Sequence, residues 1–162
     1  MNEIIIMRRD VVRRFYVLLQ SQMEKAFEFN GEEKEKALDY VEATLHALLD
    51  FYECLDSEKS CLSQETKERF KGFRYANNKL KHQSAQGRQV CIKGTFSFPV
   101  MFPICFGKNY VWGDLSTSYN ESRKSDQDLY PFYQKYIEGV EIRCALKECI
   151  DAYEKDLGIA DS

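Results

Sequence analysis

The chain has 162 residues, 44% hydrophobic and 14% aromatic, and a formal net charge of −3. That apolar content excludes a disordered chain, and the length suits one domain over 1–162 with a substantial core. No run is long enough to cross a bilayer. The apolar run 4–7 is too short for a signal peptide, and its arginines follow it, so the expectation is a cytoplasmic protein with no membrane partner.

A first helix is expected over 8–30. Val11, Val12, Phe15, Leu18, Leu19, Met23 and Phe27 keep the three-and-four spacing of one apolar face. Arg8, Arg9, Arg13 and Arg14 crowd its first turns, where cations oppose the helix dipole. They therefore serve a solvated face, partners on an acidic neighbour, or a nucleic-acid contact. Asn30 and Gly31 stop the helix.

A second helix is expected over 32–57, opened by Glu32 and Glu33 at the positive end of its dipole. Ala37, Tyr40, Val41, Thr44, Leu45, Leu48, Leu49 and Tyr52 form its apolar face. The short connection makes an antiparallel helical hairpin. His46 shares a face with Glu42 and Asp50, which suits either an acid/base group held by carboxylates or an exposed surface histidine.

After a polar connector over 56–63, a third helix runs to about Lys81, with Ser63 as its N-cap. Gly72 in its interior marks a kink or the close approach of another helix. A β-rich insertion follows over about 89–115, with short strands at 89–93, 95–106 and 109–113, punctuated by Gly94, Pro99, Pro103 and Gly107. Phe96, Phe98, Met101, Phe102, Ile104, Phe106, Tyr110 and Trp112 either cap the helical core or make a contact surface. A polar connector over 116–127 leads into a final helix over 126–157, with Pro131 in its first turn and Gly158 past its end. The expected fold is mainly α: a four- to five-helix bundle with a small β-hairpin or sheet insertion between helices 3 and 4.

Charge is unevenly placed. Residues 31–58 hold nine acids against two lysines, and residues 64–93 hold eight Lys/Arg against two acids. Opposed blocks either face each other in the fold or leave a basic patch suited to nucleic acid. Within the basic block, Arg74, Asn78 and His82 recur every four residues. Each such step turns about 40° past a full circle and rises about 6 Å, so the three make a slowly drifting ladder on one flank. Asn77 and Lys81 sit one position earlier and widen it, and Lys79 and Lys71 add cations. Donors of this kind on one patch suit a phosphate or another anion, as in RNA or a nucleotide. A solvated polar face accounts for the same residues without a ligand.

The six cysteines form no CxxC pair and only two histidines accompany them, so no structural zinc site and no other metal is expected. The chain carries neither GxxxxGK[ST] nor GxGxxG, which leaves no phosphate-cradling loop and no expected cofactor.

Helices of this number, with Asn78-Lys79-Leu80-Lys81-His82 closing the third, make the chain resemble the HEPN superfamily of prokaryotic ribonucleases and nucleotide-handling proteins. Their signature is an Arg followed by a polar residue and, further along the helix, a His. Here the Arg position falls on Asn77, and Arg74 upstream supplies the cation. The resemblance implies a metal-independent endoribonuclease of a defence or stress setting, or an RNA-binding relative that does not cut. It implies His82 as acid/base group, Arg74 or Lys81 stabilising phosphate charge, Asn78 orienting the imidazole or the phosphate, and a homodimer that brings two motifs together. The alternative is a non-catalytic regulatory or inhibitor protein that meets a protein partner through the aromatic insertion or the acidic second helix.

Overall fold

The computed structural model describes residues 3–28, 31–82, 92–95, 109–115 and 124–159. They form a mainly helical bundle with a small β insertion: α1 (Glu3–Glu28), α2 (Gly31–Cys54), a 3-10 helix (Asp56–Cys61), α3 (Gln64–His82), β1 (Ile92–Thr95), β2 (Asn109–Trp112), α4 (Lys124–Gln127), α5 (Tyr130–Tyr136) and α6 (Ile142–Asp156). No helix among the described residues is long and apolar enough to cross a membrane.

The hairpin of α1 and α2 follows from their sequence periods. Ile5, Val12, Leu19 and Met23 of α1 are buried against Ala37, Val41, Leu45 and Leu48 of α2 and the rest of one core cluster. Gln22 near one end donates to the Glu33 carboxylate at 2.6 Å, and Arg8 near the other approaches Asp50 at 3.9 Å. α1 begins five residues earlier than expected, because Ile5 is a core residue and not part of a leading tail.

The connector over 56–63 contains a 3-10 turn before Ser63 opens α3. Ser63 Oγ accepts from Thr66 N at 3.2 Å, as its capping role requires. The Asp156 carboxylate at the end of α6 reinforces that start, accepting from Ser63 N at 2.8 Å and from Thr66 Oγ1 at 2.6 Å. Gly72 is a close approach. A Cβ there would lie 2.8 Å from Ile137 Cδ1 and 3.0 Å from the Phe132 carbonyl oxygen, so α5 passes directly against it.

The single final helix expected over 126–157 is instead three helices, α4, α5 and α6. Gly139 takes φ +75°, in the left-handed region that breaks a helix. Glu141 is extended and its carboxylate accepts from Cys144 N at 2.9 Å, capping α6. The freed backbone between α5 and α6 pairs with β2: Gly139 N donates to Trp112 O at 2.9 Å and Trp112 N to Val140 O at 3.0 Å.

β1 and β2 are antiparallel, with Ile92 opposite Trp112 and Thr95 opposite Asn109. Of the expected strand over 89–93, positions 92 and 93 are among the described residues and both lie in β1. Trp112 is buried, its ring edge-on to Phe73 of α3. Tyr133 of α5 donates to the Gly113 carbonyl at 2.6 Å, tying the exit of β2 to the core. Tyr110 is half-buried against the same core. Of the aromatic insertion, Phe96, Phe98, Met101, Phe102, Ile104 and Phe106 lie outside the described residues, as does most of the expected strand over 95–106.

Candidate functional site

Two faces of α3 are committed to packing. Phe70 looks into the core toward α2 and α6, stacking on Tyr52 at 4.3 Å and on Tyr153 at 6.1 Å, and Phe73 is buried against Trp112 of β2. Gly72 and Tyr75 meet α5. Two ion-paired networks hold these contacts. Glu68 accepts from Gln64 at 3.0 Å, Tyr136 Oη at 2.7 Å and Lys135 Nζ at 3.0 Å. Those bonds, Gln64 foremost and then Tyr136 and Lys135, hold its carboxyl down at about 2. Arg69 bridges Glu65 and Glu148 at 2.8 and 2.9 Å while its guanidinium lies 4.9 Å over the Tyr136 ring.

The remaining flank carries the ladder. Arg74 donates to the Glu53 carboxylate of α2 and lies 6.0 Å from the centre of the Tyr52 ring. One turn further, Asn78 Nδ2 donates to Asp126 Oδ1 of α4 at 3.0 Å. The Arg74 side chain remains 41% exposed and Asn78 is half-buried, so this flank is open to solvent along one edge. His82 is the last residue of α3; its side chain lies outside the described residues. Lys71 and Lys81 are exposed, with Lys71 Nζ 4.8 Å over the Phe132 ring.

Two expected contact residues sit elsewhere. Asn77 is 4% exposed, because it falls four residues after Phe73 and seven after Phe70, on the core face. Its Oδ1 is buried without a hydrogen-bond partner among the described residues. Lys79 is 8% exposed, because it falls four residues after Tyr75 on the face toward α5, and its ammonium lies 5.2 Å over the Tyr75 ring. Neither side chain stands on the open flank with Arg74.

The opposed charge blocks meet in part across the bundle. Arg74 reaches Glu53 and Arg8 reaches Asp50, both on acidic α2. Arg13 instead pairs with Glu154 of α6 at 2.5 and 2.6 Å. Arg9 bonds Asp10 and the Ile159 carbonyl. His46 is half-buried, not exposed, and its Nε2 is buried with no hydrogen-bond partner among the described residues. A groove of about 340 Å³ between the start of α3 and α6 is lined by Thr66, Arg69, Glu148, Asp151 and Asp156. Arg69 bonds Glu148 there and Thr66 bonds Asp156, so these contacts fasten the two helices together.

Glu53 and Asp126 are the site residues that periodicity did not reveal. Each meets α3 from a different element, 21 and 48 residues away in sequence, and a sequence period reports only neighbours on the same helix. The chain matches no family model, no curated protein and no solved structure.

Proposed function

We propose that this chain handles RNA, holding its backbone on the open flank of α3 and cleaving it without a metal ion, with His82 as the acid/base group. One observation carries the reading. Arg74 and Asn78, a turn apart on one flank, each donate to a carboxylate oxygen brought from another element. The flank thus presents donors to anionic oxygens at two successive levels. A phosphodiester offers the same kind of oxygen, and an Arg is suited to it in charge and geometry. Exposed ion pairs such as Arg74–Glu53 contribute little to stability, so an RNA phosphate displaces the carboxylate at small cost. Exposed Lys71 and Lys81 add long-range attraction for a polyanion.

The chemistry of the reading is internal transfer at phosphorus. A ribose 2′-hydroxyl attacks its own 3′ phosphorus, the P–O5′ bond breaks, and a 2′,3′-cyclic phosphate and a 5′-hydroxyl are left. His82, four residues beyond Asn78, takes the 2′ proton or returns one to O5′, since an imidazole titrates near neutral pH. Arg74 stabilises the charge that builds on the phosphate oxygens. One histidine serves one side of the phosphorus, and the HEPN-like reading assigns the other proton transfer to a second copy. The defence or stress setting rests on that likeness.

The experiment is cleavage of a mixed RNA pool in EDTA by the native chain, His82→Ala and Arg74→Ala. Expected are 2′,3′-cyclic ends from the native chain and loss of cleavage in both variants. A native chain that binds the pool and leaves it uncut contradicts the catalytic part. Undiminished cleavage in both variants contradicts the assignment to this flank.

A further inference from the structure

The large hydrophobic side chains that stand exposed among the described residues are all on α1: Ile4 at 53%, Met7 at 56%, Val17 at 60% and Leu18 at 40%. Met7 and Val17 belong to an ordered stripe, and Ile4 and Leu18 lie off it. Glu3, Met7, Asp10, Arg14, Val17 and Ser21 are all exposed and recur at alternating steps of four and three. The mean step of 3.5 residues keeps one stripe turned toward a partner helix along its length. Ile5, Val12 and Leu19 take the core face, so this stripe is a second contact face.

We propose that this face pairs antiparallel with α1 of a second copy of the chain, in the register that sets Met7 opposite Val17 of the partner subunit and Asp10 opposite Arg14 of the partner subunit. The charges select both the occupant and the register. A two-fold interface requires a surface that complements itself, and this stripe has that property about its midpoint near position 12. The acid and the base flank the midpoint, apolar residues lie outside them, and Glu3 meets Ser21 of the partner subunit. Parallel pairing would set Asp10 on Asp10 and Arg14 on Arg14. A half-heptad slip of the antiparallel pair sets Arg14 on Arg14 in one direction and Met7 on Arg14 in the other. The Asp10 side chain is 51% exposed even while it bonds Arg9, and Arg14 makes no ion pair among the described residues. Both are therefore available across the axis. The pairing rests on α1 alone and stands whether or not RNA is the ligand of α3.

Analytical ultracentrifugation of the full chain tests it, with circular dichroism to confirm retained helix. The native chain is expected to be a dimer at micromolar concentration. Val17→Glu and Asp10→Arg are each expected to weaken association roughly tenfold or more, by charge burial and by like-charge contact. The double variant Asp10→Arg/Arg14→Asp is expected to restore the dimer, since it reverses both members of each pair. A native monomer, a dimer that survives Val17→Glu, or a helical double variant that stays monomeric overturns the proposal. RNA cleavage is not read in this experiment, so its outcome is separate from that of the RNA reading.

Discussion

Glu53 on α2 and Arg74 on α3 are joined across the gap between the helices, with side chains 57% and 41% exposed. Water reaches both groups, so their attraction is screened and the pair is one of the cheaper contacts in the bundle to break. Glu53→Gln is expected to change unfolding stability by less than about 0.5 kcal/mol. Urea titration followed by circular dichroism checks this.

Gly72→Ala sets helix propensity against packing. Alanine favours a helix interior by about 1 kcal/mol, but its Cβ would lie 3.0 Å from the Phe132 carbonyl oxygen and 2.8 Å from Ile137 Cδ1. The carbonyl belongs to the backbone of α5 and yields only if the helix shifts, and overpacking of this kind costs about 1–3 kcal/mol. The expected net is a loss of up to about 2 kcal/mol, read from the urea midpoint. A gain in stability would show that α5 does not pass so close.

The Arg13–Glu154 pair differs from the surface pairs because the Glu154 side chain is only 5% exposed. Removing the carboxylate leaves a guanidinium that is 29% exposed and partly rehydrates. Glu154→Ala is therefore expected to cost about 2 kcal/mol, below the full penalty of an orphaned buried charge. Thermal unfolding of the variant beside the native chain measures it.

Glu68 gives stability a dependence on acid. Its folded carboxyl sits at about 2 against an ordinary value of 4.5. A carboxyl held low by its partners contributes fully above the unfolded value and loses that contribution as the pH falls through the folded one. Between pH 4.5 and 2 the native chain is thus expected to lose stability more steeply than Glu68→Gln. Parallel curves for the two proteins would mean that Gln64, Tyr136 and Lys135 do not hold the carboxylate.

The three long helices were legible because each commits a full stripe to the core, and a stripe of apolar residues at three and four is a property of the local chain. The break inside the last helical stretch was not. Leu129, Tyr133, Tyr136 and Val140 keep helical spacing straight across Gly139, yet the backbone turns there to pair with Trp112, a partner in a distant strand. At the site, the flank shared by Arg74 and Asn78 followed from spacing alone. Asn77 is next to the ladder by sequence, but its position four residues after Phe73 and seven after Phe70 puts it in the core. The carboxylates of Glu53 and Asp126 depend on how α2 and α4 pack against α3, which no stretch of local sequence records.

The central claim is that the Arg74 flank holds RNA phosphate in the place of Glu53. Binding of an unstructured RNA oligonucleotide to the native chain, Arg74→Ala and Glu53→Gln, followed by fluorescence anisotropy across a salt series, tests it most directly. The account predicts weaker binding and a salt slope smaller by about one for Arg74→Ala, and binding tighter by several fold for Glu53→Gln, which loses the competing charge. Equal affinity and equal salt slope in all three proteins would contradict it.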